Sequence, residues 1–229
     1  MVNWSTLDTV FLDMDGTLLD LHFDNHFWLE HLPLRYAQKN NLQPQVAKQQ
    51  LMALIMAQRG SLNWYCTDYW SNQLSMDING LKAEVGERVG YRPHVRAFLS
   101  SLRERGLYTV IATNCHPDPL AMKLERTGLN TLVDDIVSSH QLGKPKEDPA
   151  FWQALHRVTP YDRSRTLMVD DSFPVLESAA KAGIAQLLAV LAPDSQQPAN
   201  RAHPQITGIH DFDEVLPQLQ KQRPLPSAG

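Results

Sequence analysis

The chain has 229 residues, 43% of them hydrophobic and 20% charged, with 21 basic against 25 acidic side chains and a net charge of -4. That is enough apolar material for a sizeable core and too little charge for a disordered chain, and a mildly acidic chain with no basic run is poorly suited to nucleic acid or an anionic membrane. The longest apolar stretch, residues 184–192, is interrupted by Gln186 and short of a membrane span; no signal peptide is visible, and Cys66 and Cys115 form no CxxC and no Cys/His cluster along the chain, so the expectation is a cytoplasmic globular protein with neither a disulfide framework nor a structural zinc site.

Thr9-Val10-Phe11-Leu12 is a short apolar run that ends abruptly in Asp13-Met14-Asp15-Gly16-Thr17, the signature of a buried parallel strand closed by a tight turn. Residues 19–90 then break the rhythm with a pattern that is helical throughout: Leu51, Leu54 and Ile55 form one apolar stripe, and Tyr65 and Tyr69 a four-spaced pair. A crossover needs only about a dozen residues, so this segment is expected to be an inserted helical subdomain overhanging the strand ends as a lid. Further strands are predicted at 108–112, 136–137, 166–169 and 187–190, alternating with helices carried by Val95, Phe98, Leu99 and Leu102, by Leu120 and Leu124, by residues 151–155 and by residues 177–181. Strands alternating with helices imply βαβ units and a parallel sheet covered on both faces. Residues 210–219 are expected to form one final helix, and residues 221–229 a flexible tail. The domain division is therefore 1–18 with 91–220 as the α/β core, and 19–90 as the helical cap.

The chemistry gathers at the strand ends. An Asp-Gly pair after a strand is an ordinary turn signal, but Asp13 and Asp15 are matched by Asp170 and Asp171 at the end of a second apolar run. Parallel strands bring their carboxyl ends to one edge, so these acids should converge. Clustered carboxylates repel and raise one another's pKa values, and a hard divalent cation such as Mg²⁺ resolves that repulsion while leaving room for water and a phosphate. Thr113-Asn114 follows the strand at 108–112 and offers a hydroxyl, an amide and backbone N–H groups, a suitable anion cradle. Lys144 and Lys146, in Gly143-Lys144-Pro145-Lys146-Glu147-Asp148-Pro149, supply the missing positive charge.

In their order and context these segments resemble the four motifs of the haloacid dehalogenase (HAD) superfamily over residues 8–190. Asp13-Met14-Asp15-Gly16-Thr17 is similar to the first motif, Thr113 to the second, Lys146 in Lys146-Glu147-Asp148-Pro149-Ala150-Phe151-Trp152 to the third, and Asp170-Asp171 to the fourth. Glu147 stands where the family usually has proline, and Lys144 is a rival for the lysine; the distance to Asp148-Pro149 and Trp152 favours Lys146. The resemblance implies a Rossmann-like parallel core with an inserted helical cap of the first class. It implies Asp13 as nucleophile, Asp15 as general acid and base, and Thr113, Asn114 and Lys146 as phosphate-binding groups. Mg²⁺ would be held by Asp13, the Asp15 carbonyl and Asp171, with Asp170 behind them. Dehalogenases of the superfamily lack an acid two residues after the nucleophile, so Asp15 favours phosphate-ester hydrolysis.

The segment 19–90 is rich in aromatics: Phe23, Phe27, Trp28, Trp64, Tyr65, Tyr69 and Trp70. Most are expected to pack its core, with one or two left to stack on a planar base. Phe23-Asp24-Asn25-His26-Phe27-Trp28, Leu62-Asn63-Trp64-Tyr65-Cys66 and Thr113-Asn114 followed by His116-Pro117 resemble the bacterial purine 5'-nucleotidases of this superfamily, the GMP/IMP nucleotidases. That similarity implies GMP and IMP as substrates. Asn25, His26 and Asn63 are expected at the surface of the segment, with base or ribose as the alternative contact, and His116 is expected to be a loop histidine, with phosphate or ribose as its alternative. A sugar-phosphate phosphatase or a β-phosphoglucomutase-like phosphotransferase is the alternative within the superfamily. Oligomeric state is left open.

Overall fold

Val10 and Leu12 of the first strand, β1 (Thr9–Leu12), face one apolar cluster and Phe11 the opposite one, because successive side chains of a strand alternate between its faces. The computed structural model describes residues 2–221. After β1 come α1 (His22–His26), a π turn over Phe27–His31, α2 (Leu32–Asn40), α3 (Pro44–Met56), α4 (Thr67–Leu74) and α5 (Ile78–Ala83). The chain then returns through α6 (Val95–Glu104), β2 (Tyr108–Thr113), α7 (Pro117–Thr127), β3 (Asp135–Ser138), α8 (Ser139–Leu142), α9 (Pro149–Val158), β4 (Thr166–Asp170), α10 (Phe173–Lys181), β5 (Gln186–Val190), β6 (Thr207–Ile209) and α11 (Leu216–Lys221). The six strands form one parallel sheet in the order β3-β2-β1-β4-β5-β6.

Helices cover both faces of the sheet. Phe98, Leu99 and Leu102 of α6, Leu120 of α7 and Leu219 of α11 pack with Val10, Leu12, Leu167 and Val169. Phe151, Trp152 and Leu155 of α9, with Leu176 and Ala179 of α10, pack with Phe11, Val110 and Met168. Strand order reverses between β1 and β4, the place where an open parallel sheet presents a ligand crevice beyond its carboxyl ends. The helices from α1 to α5 hold a third apolar cluster of their own, built on Phe23, Phe27, Leu51, Trp70 and Ile78. The two chain crossings that join them to the sheet lie side by side, with the Asp20 N–H donating to the Gly90 carbonyl at 2.9 Å.

Several local expectations are corrected. The stripe on α3 is Ala47, Leu51 and Ile55, all buried at a spacing of four, whereas Leu54 is exposed. Tyr65 and Tyr69 do not share a helix: Tyr65 ends a 3-10 turn (Leu62–Tyr65), and extended Cys66 intervenes, its Sγ accepting the Tyr69 N–H at the start of α4. The final helix begins at Leu216, because Asp211 caps a separate 3-10 turn (Phe212–Glu214) in a reciprocal Asp211/Glu214 box. The three-residue edge strand β6 had no sequence signal of its own. Of the tail 221–229, Lys221 ends α11 and residues 222–229 lie outside the described residues. No helix among the described residues is long and apolar enough to cross a membrane.

Candidate active site

β1 delivers Asp13 and β4 delivers Asp170 and Asp171 to the crevice, where one carboxylate oxygen from each lies within 4.8 Å of the others. Lys146 is fully buried and bridges two of them, its Nζ 2.5 Å from Asp13 Oδ1 and 2.7 Å from Asp170 Oδ2. Lys144, by contrast, is exposed and pairs with Asp148 at 3.6 Å. Burial pushes the Asp13 carboxyl up to about 6, with Lys146 pulling against it and Asp170 adding to it. Burial, then repulsion from Asp170 and Asp13, pushes Asp171 well above the usual carboxylate range. Burial opposes the Lys146 charge too, yet Asp13 and Asp170 together hold its pKa above the ordinary lysine value.

Among the described residues no ion pair reaches Asp171, and the one lysine present is committed to Asp13 and Asp170. Three crowded acids sharing a single cation leave a deficit of positive charge, and their oxygen donors suit a hard divalent ion. The residues therefore fit Mg²⁺. Gly16 is required here twice over: its φ of +89° lies in the left-handed region, and a Cβ would stand 2.6 Å from Asp171 Oδ2.

Thr113 closes β2, and its hydroxyl accepts the Cys115 N–H at 3.0 Å, shaping the turn before α7. Asn114 accepts the Lys146 N–H through Oδ1 at 2.9 Å and donates through Nδ2 to Glu147 at 3.0 Å. Glu147, the departure from the family pattern, also accepts the Tyr65 hydroxyl at 2.5 Å. It thus ties the helical insertion to the loop that carries the buried lysine. Burial and the Glu147 charge both push the Tyr65 phenol up, so the hydroxyl remains a donor.

Asp15 turns away from Lys146. Its Oδ1 accepts from Lys123 Nζ at 2.7 Å, Lys123 also donates to Asp24 at 2.6 Å, and Asp24 accepts from Lys82 at 2.6 Å. Lys123 belongs to α7, whereas Asp24 and Lys82 belong to α1 and α5, so four alternating charges run from the insertion into the site. Burial raises Asp15 to about 6, with Lys123 opposing and Asp24 and Asp13 adding to the rise. Burial also opposes ionisation of Asp24, but Lys123 and Lys82 hold it far below the usual range. Sequence reasoning missed Lys123, Asp24 and Lys82. The available signal was that Lys123 falls three residues after Leu120 and Lys82 four after Ile78, on the apolar faces of α7 and α5.

Above the acids is a cavity of about 400 Å³. Its wall divides the aromatics: Phe23, Phe27 and Trp70 are buried in the insertion's own core, while three, Trp28, Trp64 and Tyr65, line the cavity. Tyr69 packs edge-on against Trp70 instead. Asn25 lines the cavity but is engaged with Asp194 at 2.7 Å. His116 also lines it, its Nδ1 2.9 Å from the Thr67 hydroxyl. His26 does not line the cavity, and Asn63 bonds to Gln58 away from it. An acid raised by burial to about 6, a carboxylate paired with a buried cation, and Thr113 at the end of β2 meet at one crevice, an arrangement suited to transfer of an anionic group to a carboxylate.

A protein-family model described as haloacid dehalogenase-like hydrolase matches residues 7–183. The chain is 41% identical over 218 residues, covering 95% of itself and 98% of the relative, to GMP/IMP nucleotidase YrfG of Escherichia coli (strain K12). A HAD phosphatase from Thermococcus onnurineus shares its fold with a TM-score of 0.80 at 18% identity, covering 95% of this chain and 100% of that one. A putative β-phosphoglucomutase from Thermotoga maritima does so with a TM-score of 0.64 at 19% identity, covering 94% and 100%.

Proposed function

The chain belongs to the haloacid dehalogenase-like hydrolase family, and on that premise we propose that it is a Mg²⁺-dependent phosphoric monoester hydrolase acting on purine nucleoside 5'-monophosphates, GMP and IMP. The observation that carries this reading is the buried Asp13–Lys146–Asp170 unit at the floor of a cavity walled by Trp28 and Trp64. The 41% identity to a GMP/IMP nucleotidase supports the choice of base.

Asp13 attacks phosphorus in line; the bond from phosphorus to the ribose 5'-oxygen breaks, and Asp15 delivers its proton to that oxygen. Nucleoside leaves, with the phosphoryl group held on Asp13 as an acyl phosphate, a mixed anhydride. Water then attacks the phosphorus and gives a proton to Asp15, which restores the Asp13 carboxylate and releases phosphate. Lys123, 2.7 Å from Asp15, stabilises the carboxylate that Asp15 becomes after giving up its proton. Lys146, Thr113 and the N–H groups at the strand ends draw charge from the equatorial phosphate oxygens. Asp13, the Asp15 carbonyl and Asp171 would hold Mg²⁺, which when bound offsets the repulsion between an anionic nucleophile and a phosphate dianion. Trp28 and Trp64 supply flat faces for the purine.

The test measures phosphate released from GMP, IMP, AMP, pyrimidine nucleotides and sugar phosphates, with and without Mg²⁺, beside Asp13→Asn. Fastest release from GMP and IMP, lost without Mg²⁺ and reduced at least about 10³-fold in Asp13→Asn, is the expected result. Faster turnover of sugar phosphates overturns the nucleotide assignment, and transfer between sugar hydroxyls without release overturns hydrolysis.

A further inference from the structure

The spacing of Cys66, His116 and His140 gives no metal motif along the chain, yet the fold brings them together. One ligand atom from each lies within 4.8 Å of the others, and Asp68, His116 and Asp118 form an overlapping group on the same criterion. Cys66 and Asp68 come from the start of α4, on the insertion side; His116 stands just before α7, and His140 lies in α8, both attached to the sheet.

The His140 ring is the informative group. Its Nε2 is buried and has no hydrogen-bond partner among the described residues, an uncompensated polar atom that a bound cation would satisfy. The rings of His116 and His140 meet edge to face with centroids 4.8 Å apart. With His116 Nδ1 held at Thr67, His116 Nε2 lies 3.6 Å from Asp68 Oδ2, a carboxylate outside the Cys66–His116–His140 group.

We propose that Cys66, His116 and His140 form a three-ligand binding site, its fourth position open to solvent, for a borderline-soft divalent cation of the Zn²⁺ class, separate from the carboxylate centre at Asp13 and Asp171. Thiolate and imidazole donors select such ions over Mg²⁺, which prefers oxygen. Loading releases the Cys66 proton to solvent and links the insertion to the sheet at the cavity rim, where His116 is shared by both.

The test titrates CoCl₂, as a coloured stand-in for zinc, into purified protein already saturated with Mg²⁺. One equivalent of Co²⁺ is expected to give a near-ultraviolet thiolate-to-metal charge-transfer band with strong tetrahedral visible bands, displaced by ZnCl₂ and not by further MgCl₂. Cys66→Ser abolishes the charge-transfer band, and Cys115→Ser retains it. His140→Gln, which keeps Cys66 and tests the site should Cys66→Ser fail to fold, weakens Co²⁺ binding by at least about tenfold. No charge-transfer band in the unaltered protein, a band that survives Cys66→Ser, or undiminished affinity in His140→Gln overturns the proposal.

Discussion

The Lys123 ammonium donates to the Asp15 carboxylate at 2.7 Å while holding Asp24 of the insertion with its other protons. The proposed proton donor is therefore oriented by a residue that itself answers to the insertion. Lys123→Met removes the charge that opposes the burial-driven rise of Asp15, whose carboxyl already stands at about 6, so it moves further up. Asp15 acts first in its protonated form, and the alkaline limb of kcat/KM is expected to shift to higher pH. The loss of orientation lowers kcat by about 10²-fold, the lower end of the range for a general acid. Measuring both across pH separates this from mere destabilisation, which would scale active enzyme without moving the limb.

Stability of the metal-free protein should fall as pH rises from about 4 to about 6. Asp13 and Asp15 have folded values near 6, raised by burial from an ordinary 3.8. Below that window both folded and unfolded chains are protonated. Within it the unfolded chain ionises first, the folded chain binds more protons, and the folded state loses ground. Mg²⁺ stabilises the ionised acids and should reverse the trend. The rise in Tm on adding MgCl₂ is expected to be larger at pH 7 than at pH 5, as thermal scans with and without the ion would show. An equal rise at both pH values would place the ion away from these acids.

Cavity and core tryptophans should separate cleanly. Trp64→Ala and Trp28→Ala remove flat faces from the cavity wall and are expected to raise KM for GMP by about 5- to 150-fold, the equivalent of about 1–3 kcal/mol of base stacking. Trp70→Ala instead empties the insertion's own core, where Trp70 is buried, at about 3–5 kcal/mol of stability. Steady-state kinetics with GMP and a nonaromatic sugar phosphate, beside chemical unfolding, distinguish the two effects. A wall tryptophan whose removal raises KM equally for both substrates does not stack on a base.

Strands β1 to β5 were legible because each is a short apolar run between turn or helix signals, and parallel order follows from the alternation with helices. Asp13, Thr113, Lys146 and Asp171 were legible for the same reason, since each sits at the end of a strand, just beyond one or in a loop after one. The link from Asp15 through Lys123 and Asp24 to Lys82 was not. Lys123, Asp24 and Lys82 lie inside helices, where a lysine ordinarily projects its charge to water, and only tertiary packing decides that Lys123 and Lys82 are buried. Leu54 misled because helical spacing permits a stripe of two widths, and α3 buries only the narrower one. The edge strand β6 escaped because three residues carry too little alternation to register.

Tyr65→Phe tests the tie between insertion and sheet. The Tyr65 hydroxyl donates to Glu147, whose other oxygen accepts from Asn114, and Asn114 holds the Lys146 backbone. Deleting one hydroxyl forfeits a hydrogen bond to a charged acceptor, worth about 1.5–3 kcal/mol. If that bond favours the arrangement in which the cavity is closed over substrate, KM rises about tenfold or more while kcat changes little. Glu147→Gln keeps only one acceptor for two donors, the Tyr65 hydroxyl and Asn114 Nδ2, and turns an amide N–H toward one of them, so its KM should rise at least as far as that of Tyr65→Phe. Equal KM for Tyr65→Phe and the unaltered enzyme would show that closure does not depend on this contact.

Gly16→Ala and Gly60→Ala form a matched pair that isolates the metal-binding role of the first turn. Both glycines have positive φ, +89° and +82°, so each substitution forces alanine into the left-handed region and costs about 1–2 kcal/mol of stability. At Gly60 nothing lies within 4 Å of the added methyl, whereas at Gly16 it meets Asp171 Oδ2 at 2.6 Å and Pro193 Cβ at 3.1 Å. The Asp171 carboxylate, a charged group already crowded by Asp170 and Asp13, must swing away. Calorimetric Mg²⁺ titration is expected to show affinity lowered by about 10–100-fold in Gly16→Ala and unchanged in Gly60→Ala, with comparable losses of Tm. If Gly16→Ala binds Mg²⁺ as tightly as the unaltered protein, Asp171 is not a ligand, and the ion must be held by Asp13 and Asp170 despite their shared lysine.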